Sequence, residues 1–446
     1  MQEFGTQFTF GDWTFDARTG VLQLHYQEAR LGAFVEQFQF PMVDPDRYLA
    51  IKPAVDAAID SLHWMAGVSY YKTTLAKHIE FSGRLPSEVQ AKWLTDSWQA
   101  GLAELAHEAG LGWLDHIQIN GQATTEPLPT VQLSPRSLVA IGGGKDSLVA
   151  IEAIKSMSEP AELFVVGQSP LIAAVAAQTG LPLNVIKRKV DPRLATVNQQ
   201  GAFNGHVPIT AINACVAVVT ALLGDFDAVV FANERSANEG NVLADSGQWV
   251  NHQYSKSLAY ERQWQQIINQ HITPNLHCFS LLRPFSELAI VKQFAQYPNY
   301  FAHFSSCNRN FHLAGSRNEQ QLWCGECPKC AFAFLCLAPF IPRTRLLQIF
   351  HQDLLAKTAL ESLYEALLGL AGDKPFECVG EAAECRLALQ MLSEHVDWQA
   401  HDELKQWLER VPKLSAAEAA AIMSPSAEHL IPQKRQFSTV VSHVAQ

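Results

Sequence analysis

Two constellations in this 446-residue chain have residue types and spacing suited to chemistry. The first is Gly142-Gly143-Gly144-Lys145-Asp146-Ser147, directly after the apolar run 138–141. A short apolar run bounded by glycine reads as a buried strand of a parallel sheet. The glycines let backbone approach an anion closely, and the helical pattern from Ser147 onward presents free N–H groups and a dipole that favour negative charge. The unit therefore reads as strand, phosphate loop and helix. The second constellation is Cys307 and, after sixteen intervening residues, Cys324, Cys327 and Cys330 in nested Cys-x-x-Cys steps. Four thiolates so spaced can close a tetrahedron around structural zinc, with Gly325 easing the turn. A redox pair or an iron–sulfur cluster competes with zinc, and Cys307 near Arg309 also suits an acid–base thiolate.

The glycine loop fits neither common nucleotide fingerprint. A Walker loop needs glycine at Val139 and Ser or Thr at Asp146, and the dinucleotide fingerprint needs glycine at Ser147. The loop resembles the Ser-Gly-Gly-x-Asp-Ser turn of the PP-loop ATP pyrophosphatases, with Gly142 in place of the first serine. That resemblance implies cleavage of ATP to AMP and pyrophosphate, with adenylation of a carboxylate or carbonyl-type oxygen.

Further polar groups follow the later strands. Asn233, Glu234, Arg235 and Ser236 come directly after the apolar run 228–231, where successive polar side chains make poor core. They suit substrate recognition, Arg235 by two parallel hydrogen bonds to a carboxylate and Glu234 by accepting a proton or orienting a cation. An exposed loop with a local ion pair is the competing reading. His252, Lys256 and Arg283 add hydrogen-bonding and cationic groups for an anionic substrate. His206, just before Pro208, suits a phosphate contact, a base or a helix cap. Tyr70, Tyr71 and Lys72 could touch a ligand but lie at helical spacing, which favours core. Cys215, Cys278, Cys336, Cys378 and Cys385 read as small apolar residues.

The elements that position these groups follow from periodicity. Residues 1–48 alternate apolar and polar, as an antiparallel meander does, and 54–107 show helical spacing. A polar, Pro-rich linker over 121–130 leads into strands alternating with helices, which implies a doubly wound parallel α/β sheet with ligands at the strands' carboxyl ends. The expected organisation is an α+β accessory domain at 1–130, a nucleotide domain at 131–340 with the cysteine knuckle at 307–330, and a helical region at 341–446. An apolar fraction of 48% with 17% charged residues describes an ordinary globular protein with a large core. A net charge of −11 disfavours nucleic-acid partners, and no long apolar run or secretory start appears, so a cytoplasmic protein without membrane contact is expected.

Taken together, residues 62–72, 140–149, 231–237, 250–253, 281–284, 303–312 and 374–381 resemble the ATP-dependent UDP-N-acetylmuramoyl-L-alanyl-L-glutamate epimerases of bacterial peptidoglycan synthesis. More distantly, the loop and cysteines look like the 7-cyano-7-deazaguanine synthases, and a PP-loop adenylating ligase of that or a tRNA-modifying type is the alternative. The epimerase resemblance implies ATP, Mg²⁺ and a UDP-MurNAc-dipeptide as ligands. It implies a glutamyl adenylate at Gly142 to Ser147, with the catalytic groups Asp146 binding Mg²⁺ or ordering pyrophosphate and Lys145, with the backbone amides, neutralising the leaving charge. Glu234, His206, His252, Lys256 and Cys307 are then the proton-carrier choices, and Asn233, Arg235, Ser236, Arg283 and Arg309 the substrate contacts.

Overall fold

The computed structural model describes residues 3–41, 43–123, 128, 130–244, 246–310 and 322–435. Much of the expected linker at 121–130 and the end of the stretch 303–312 lie outside the described residues.

Alternation in the first forty residues produces three long strands, β1 (Gln7–Asp16), β2 (Val21–Glu28) and β3 (Gly32–Gln39), followed by the short β4 (His78–Phe81). The apolar runs of the middle region form β5 (Ser137–Ala140), β6 (Ala161–Val166), β7 (Leu183–Lys189) and β8 (Ala228–Phe231). A two-residue-stranded hairpin, β9 (Val242–Leu243) and β10 (Trp249–Val250), precedes β11 (His277–Ser280). Nine of these strands make one sheet in the order β11-β8-β5-β6-β7-β3-β2-β1-β4. From β11 to β7 all neighbours are parallel. The chain steps outward from β5 to β6 and β7, then returns to place β8 and β11 on the other side of β5, so the order reverses beside β5. Crevices at such a reversal hold ligands in doubly wound sheets.

Period-two patterning divides each central strand between two cores. Val139, Val230 and Phe279 face one, shared with helices Lys145–Ser156, Glu287–Phe294 and Pro328–Leu337 and the C-terminal helices. Leu138, Val229 and Cys278 face the other, shared with helices Lys52–Ala66, Glu88–Gly101, Ile209–Gly224 and Leu258–Ile267. Tyr70 and Tyr71 are buried in that second core. Among the described residues no helix is long and apolar enough to cross a membrane.

The N-terminal strands continue the central parallel sheet, because β3 pairs antiparallel with β7 through Phe38 opposite Arg188. Phe8, Phe10, Leu24 and Phe34 reach from the meander into the same core as Ile212 and Val216. At the seam the Arg188 guanidinium is hydrogen-bonded to fully buried Glu36 and to Ser69 Oγ at 3.2 Å. Removing one partner of a buried pair strands the other charge in low dielectric. Glu36→Ala should therefore lower stability by about 3–5 kcal/mol in chemical denaturation, with one cooperative transition as long as the seam joins a single folding unit.

Candidate active site

The glycine loop leaves β5 and turns directly into helix Lys145–Ser156. Gly143 has φ +79°, a left-handed conformation open to glycine, and a Cβ there would meet Leu171 at 2.8 Å. The Ser147 hydroxyl donates to Gly144 O at 2.9 Å and receives Gly142 N–H at 3.4 Å, so it braces the turn from inside. The loop borders a cleft of about 450 Å³ over the carboxyl ends of β5, β6 and β8. Its walls carry Asp146, Asn233, Glu234 and Lys256, with Ser306, Asn308 and Lys329 from the cysteine knuckle. Three other hollows are about as large, at 520, 460 and 450 Å³, but none touches the glycine loop, so chemistry and not size distinguishes this cleft.

Lys145 points away from the cleft. Its ammonium is buried, 2.5 Å from Asp146 Oδ1 and hydrogen-bonded to buried Glu287. Burial alone would lower this ammonium, but the charges of Asp146 and Glu287 outweigh it and keep Lys145 protonated. Lys145 thus anchors Asp146 from below and Asp146 is the loop's acidic group at the cleft. Glu234 is buried in the cleft wall, and burial pushes its carboxyl up from the ordinary value against the opposing charge of Lys256.

At the side of the cleft marked by Lys256, four segments distant in sequence meet. His252 Nδ1 lies 2.5 Å from Glu104 Oε2, and the rings of His206 and His252 are 4.4 Å apart. Lys72, buried and held down to about 8 by desolvation, donates to Asn204 Oδ1 at 2.8 Å and so fixes the loop that presents His206. Lys256 Nζ donates to Cys378 Sγ at 2.9 Å. Burial would raise the Cys378 thiol, but the charges of Lys256 and Lys329 and a hydrogen bond from His252 bring it well below the ordinary thiol range. The expectation that Cys378 is an ordinary apolar residue is therefore corrected: it is a half-buried sulfur among cations. Glu104 and Lys329 are also site residues that sequence reasoning passed over.

The two histidines titrate in opposite directions. Burial and the charge of His252 hold His206 down to about 4, so it is neutral. Burial also works against the His252 cation, but hydrogen bonds with Cys378 and Glu104 outweigh it and raise His252 to about 9.

Several expected substrate contacts are committed elsewhere. Asn233 lines the cleft and donates to Ser280 Oγ at 2.9 Å. Arg235 instead donates to Ser424 O and Ile422 O at 3.1 and 3.0 Å, at the end of helix Ala416–Met423. Ser236 is fully buried. Arg283 is 1% exposed, and its guanidinium bonds Glu261, Glu234 O and Lys256 O, leaving it to position those groups from behind. Arg309 pairs with Glu326 at 2.6 Å on the knuckle's exposed side.

Cys307, Cys324, Cys327 and Cys330 converge as their spacing predicts. The Sγ separations are 3.8 Å for Cys307–Cys327, 3.7 Å for Cys324–Cys330 and 3.5 Å for Cys327–Cys330. Tetrahedral thiolates about 2.3 Å from an ion stand about 3.8 Å apart, so the four fit a metal. Gly325 takes φ +67°, a turn that a side chain would strain. Ser305 N–H donates to Gly143 O at 3.0 Å, so the knuckle is tied directly to the glycine loop.

The histidine pair yields a pH prediction. An unfolded histidine titrates near ~6.5, so the contribution of the His252 cation is complete below that pH and is lost as pH rises through 9. Neutral His206 has the opposite sign, its contribution being complete above ~6.5 and lost as pH falls towards 4. Imidazole NMR should show both midpoints, and Glu104→Gln should bring the His252 midpoint down by about 1–2 units while leaving the fold intact.

Comparison with known proteins supplies the family. The MurL N-terminal domain matches residues 1–281 and the MurL C-terminal domain residues 303–422. A protein of Xanthomonas oryzae pv. oryzae named UDP-N-acetyl-alpha-D-muramoyl-L-alanyl-L-glutamate epimerase is 41% identical over 430 residues, 95% of each chain. Proteins of the same name from Salinispora tropica and a Micromonospora species are each 36% identical, covering 96% and 95% of this chain and 94% and 96% of their own. Both family domains and all four converging segments of the cleft lie within these matches, and the chain belongs to the MurL family.

Proposed function

We propose that this protein is an isomerase that converts the terminal L-Glu of UDP-MurNAc-L-Ala-L-Glu to D-Glu in peptidoglycan precursor synthesis, using ATP and releasing AMP and pyrophosphate. The observation that carries this reading is identity of 36–41% along about 95% of the chain with relatives bearing that name. A cytoplasmic location accords with a nucleotide-linked precursor.

The need for ATP follows from charge. Removing the α-proton beside a free carboxylate places a carbanion next to an existing negative charge. Adenylating that carboxylate removes the charge and lets the carbonyl delocalise the new electron pair. We read the β11-β8-β5-β6-β7 part of the sheet as a PP-loop core, supported by its strand reversal and glycine loop at the cleft. Loop amides and the N-terminus of helix Lys145–Ser156 then hold phosphate oxygens. Lys256 and Lys329, on the cleft walls, offset the charge of the departing pyrophosphate. Asp146 is the group that would hold Mg²⁺, which neutralises phosphate charge when bound. Glu234, His206, His252 and Lys256 form the acid–base set beside the acyl group, and Asn233 orients it. The four cysteines fit structural zinc, and through Ser305 and Gly143 they hold Ser306, Asn308 and Lys329 against the nucleotide.

The test incubates the protein with Mg-ATP and UDP-MurNAc-L-Ala-L-Glu, then scores glutamate chirality and AMP together. D-Glu and AMP should appear in step, and Asp146→Ala should reduce both by about 100-fold or more. AMP without D-Glu would indicate a ligase awaiting another acceptor, and neither product would overturn the reading.

A further inference from the structure

We propose that Cys378 is a proton carrier of this reaction, its thiolate taking the α-proton of the activated glutamyl residue. This rests on the epimerase reading above and adds a catalytic group to it.

Lys256 Nζ donates to Cys378 Sγ at 2.9 Å, and His252, its Nδ1 held by Glu104, adds its charge near the same sulfur. An ammonium has donors only, and a histidinium has donors on both nitrogens. With Lys256 as donor the sulfur is left as acceptor, a role a thiolate fills far better than a thiol, whose sulfur accepts only weakly. The charge of Lys329 adds to the same effect. Low-pKa thiolates in such electropositive, partly exposed surroundings are the reactive ones.

The sulfur is also placed at the chemistry. Its partner Lys256 lines the same cleft as Asp146 and Glu234. Its loop is pinned from two sides, by Asn241 Nδ2 donating to Pro375 O at 2.7 Å and by Phe376 packed on His107 with ring centres 5.8 Å apart. The Asn241 carbonyl accepts His252 N–H at 2.9 Å, so one side chain fixes both the thiolate's loop and its histidine. Among the nine cysteines, four form the quartet that could hold a metal, and Cys215, Cys278, Cys336 and Cys385 lie in the apolar cores. Cys378 is the sulfur bonded to the cleft residue Lys256.

In the L-to-D direction the Cα–H bond breaks, an S–H bond forms on Cys378, and the electron pair stays on Cα conjugated with the acyl carbonyl. The second proton reaches the opposite face from the Glu234 carboxyl, which burial favours in its protonated form. The D-to-L direction reverses the roles, with the Cys378 thiol returning a proton. Solvent exchange restores both groups between turnovers.

The experiment uses the full-length protein in D₂O with Mg-ATP and the dipeptide substrate. Cys378→Ala and Cys378→Ser should lose D-Glu formation and α-deuteration by about 100-fold or more, the usual size of a general-base contribution, while still forming pyrophosphate from ATP on the substrate. A purely structural cysteine would lose all three together. A second measurement needs no variant: iodoacetamide at about pH 6, where an ordinary thiol near ~8.5 is protonated, should label Cys378 in the folded wild type, and bound substrate with ATP should block it. Wild-type rates of α-deuteration in Cys378→Ala, or a Cys378 inert to alkylation at that pH, would overturn the proposal alone. A wild type that forms neither pyrophosphate nor D-Glu would overturn the epimerase reading and this proposal with it.

Discussion

The site depends on a single buried guanidinium. Arg283 is almost wholly enclosed, and the cost of enclosing its charge is met by Glu261 and by the carbonyls of Glu234 and Lys256. Those partners come from the end of β8, the turn before helix Leu258–Ile267, and that helix itself, while Arg283 follows β11. Because none of these contacts can be surrendered without leaving a buried group unpaired, Glu234 and Lys256 are fixed relative to one another. Lys256 in turn fixes Cys378, and His252, bonded to Glu104, adds its charge beside that sulfur. Charges distributed over nearly three hundred residues of sequence become one network through that chain of contacts.

A second consequence concerns the N-terminal region. It is bound to the central parallel strands through the β3–β7 pairing and a common core, and helix Ala103–Glu108 brings Glu104 to His252. The cysteine knuckle performs the same service from the other side, bringing Ser306, Asn308 and Lys329 to the glycine loop. The cleft is therefore closed by elements from both family domains.

Local signals were the legible ones. The glycine loop and the cysteine quartet announce themselves because each is encoded within a few residues whose types are dictated by backbone approach or by metal geometry. The meander and the alternating strands follow from period, whereas β4 escaped because four half-exposed residues, His78–Phe81, pair in parallel with the distant β1 and carry little pattern of their own. Arg235 and Arg283 follow strands that end at the cleft, and their guanidinia bond carbonyls behind its wall, which the length of the side chain allows and sequence position does not reveal. Cys378 and Glu104 carry no signature in residue type or spacing, although 374–381 is one of the stretches that resemble the family. An isolated cysteine between Glu377 and Val379 reads as a small apolar residue until tertiary structure sets Lys256 against it and His252 near it.

The central claim is that ATP is spent on the substrate's own carboxylate, in the cleft between the phosphate loop and this network. The measurement that tests it most directly uses substrate labelled with ¹⁸O in the carboxylates of its terminal glutamate and follows the label by mass spectrometry of the AMP produced. An acyl adenylate transfers one labelled oxygen to AMP when water attacks the acyl carbon, and the account predicts heavy AMP in step with D-Glu. Unlabelled AMP accompanying D-Glu would contradict it, because the nucleotide would then have been cleaved without ever joining the carboxylate.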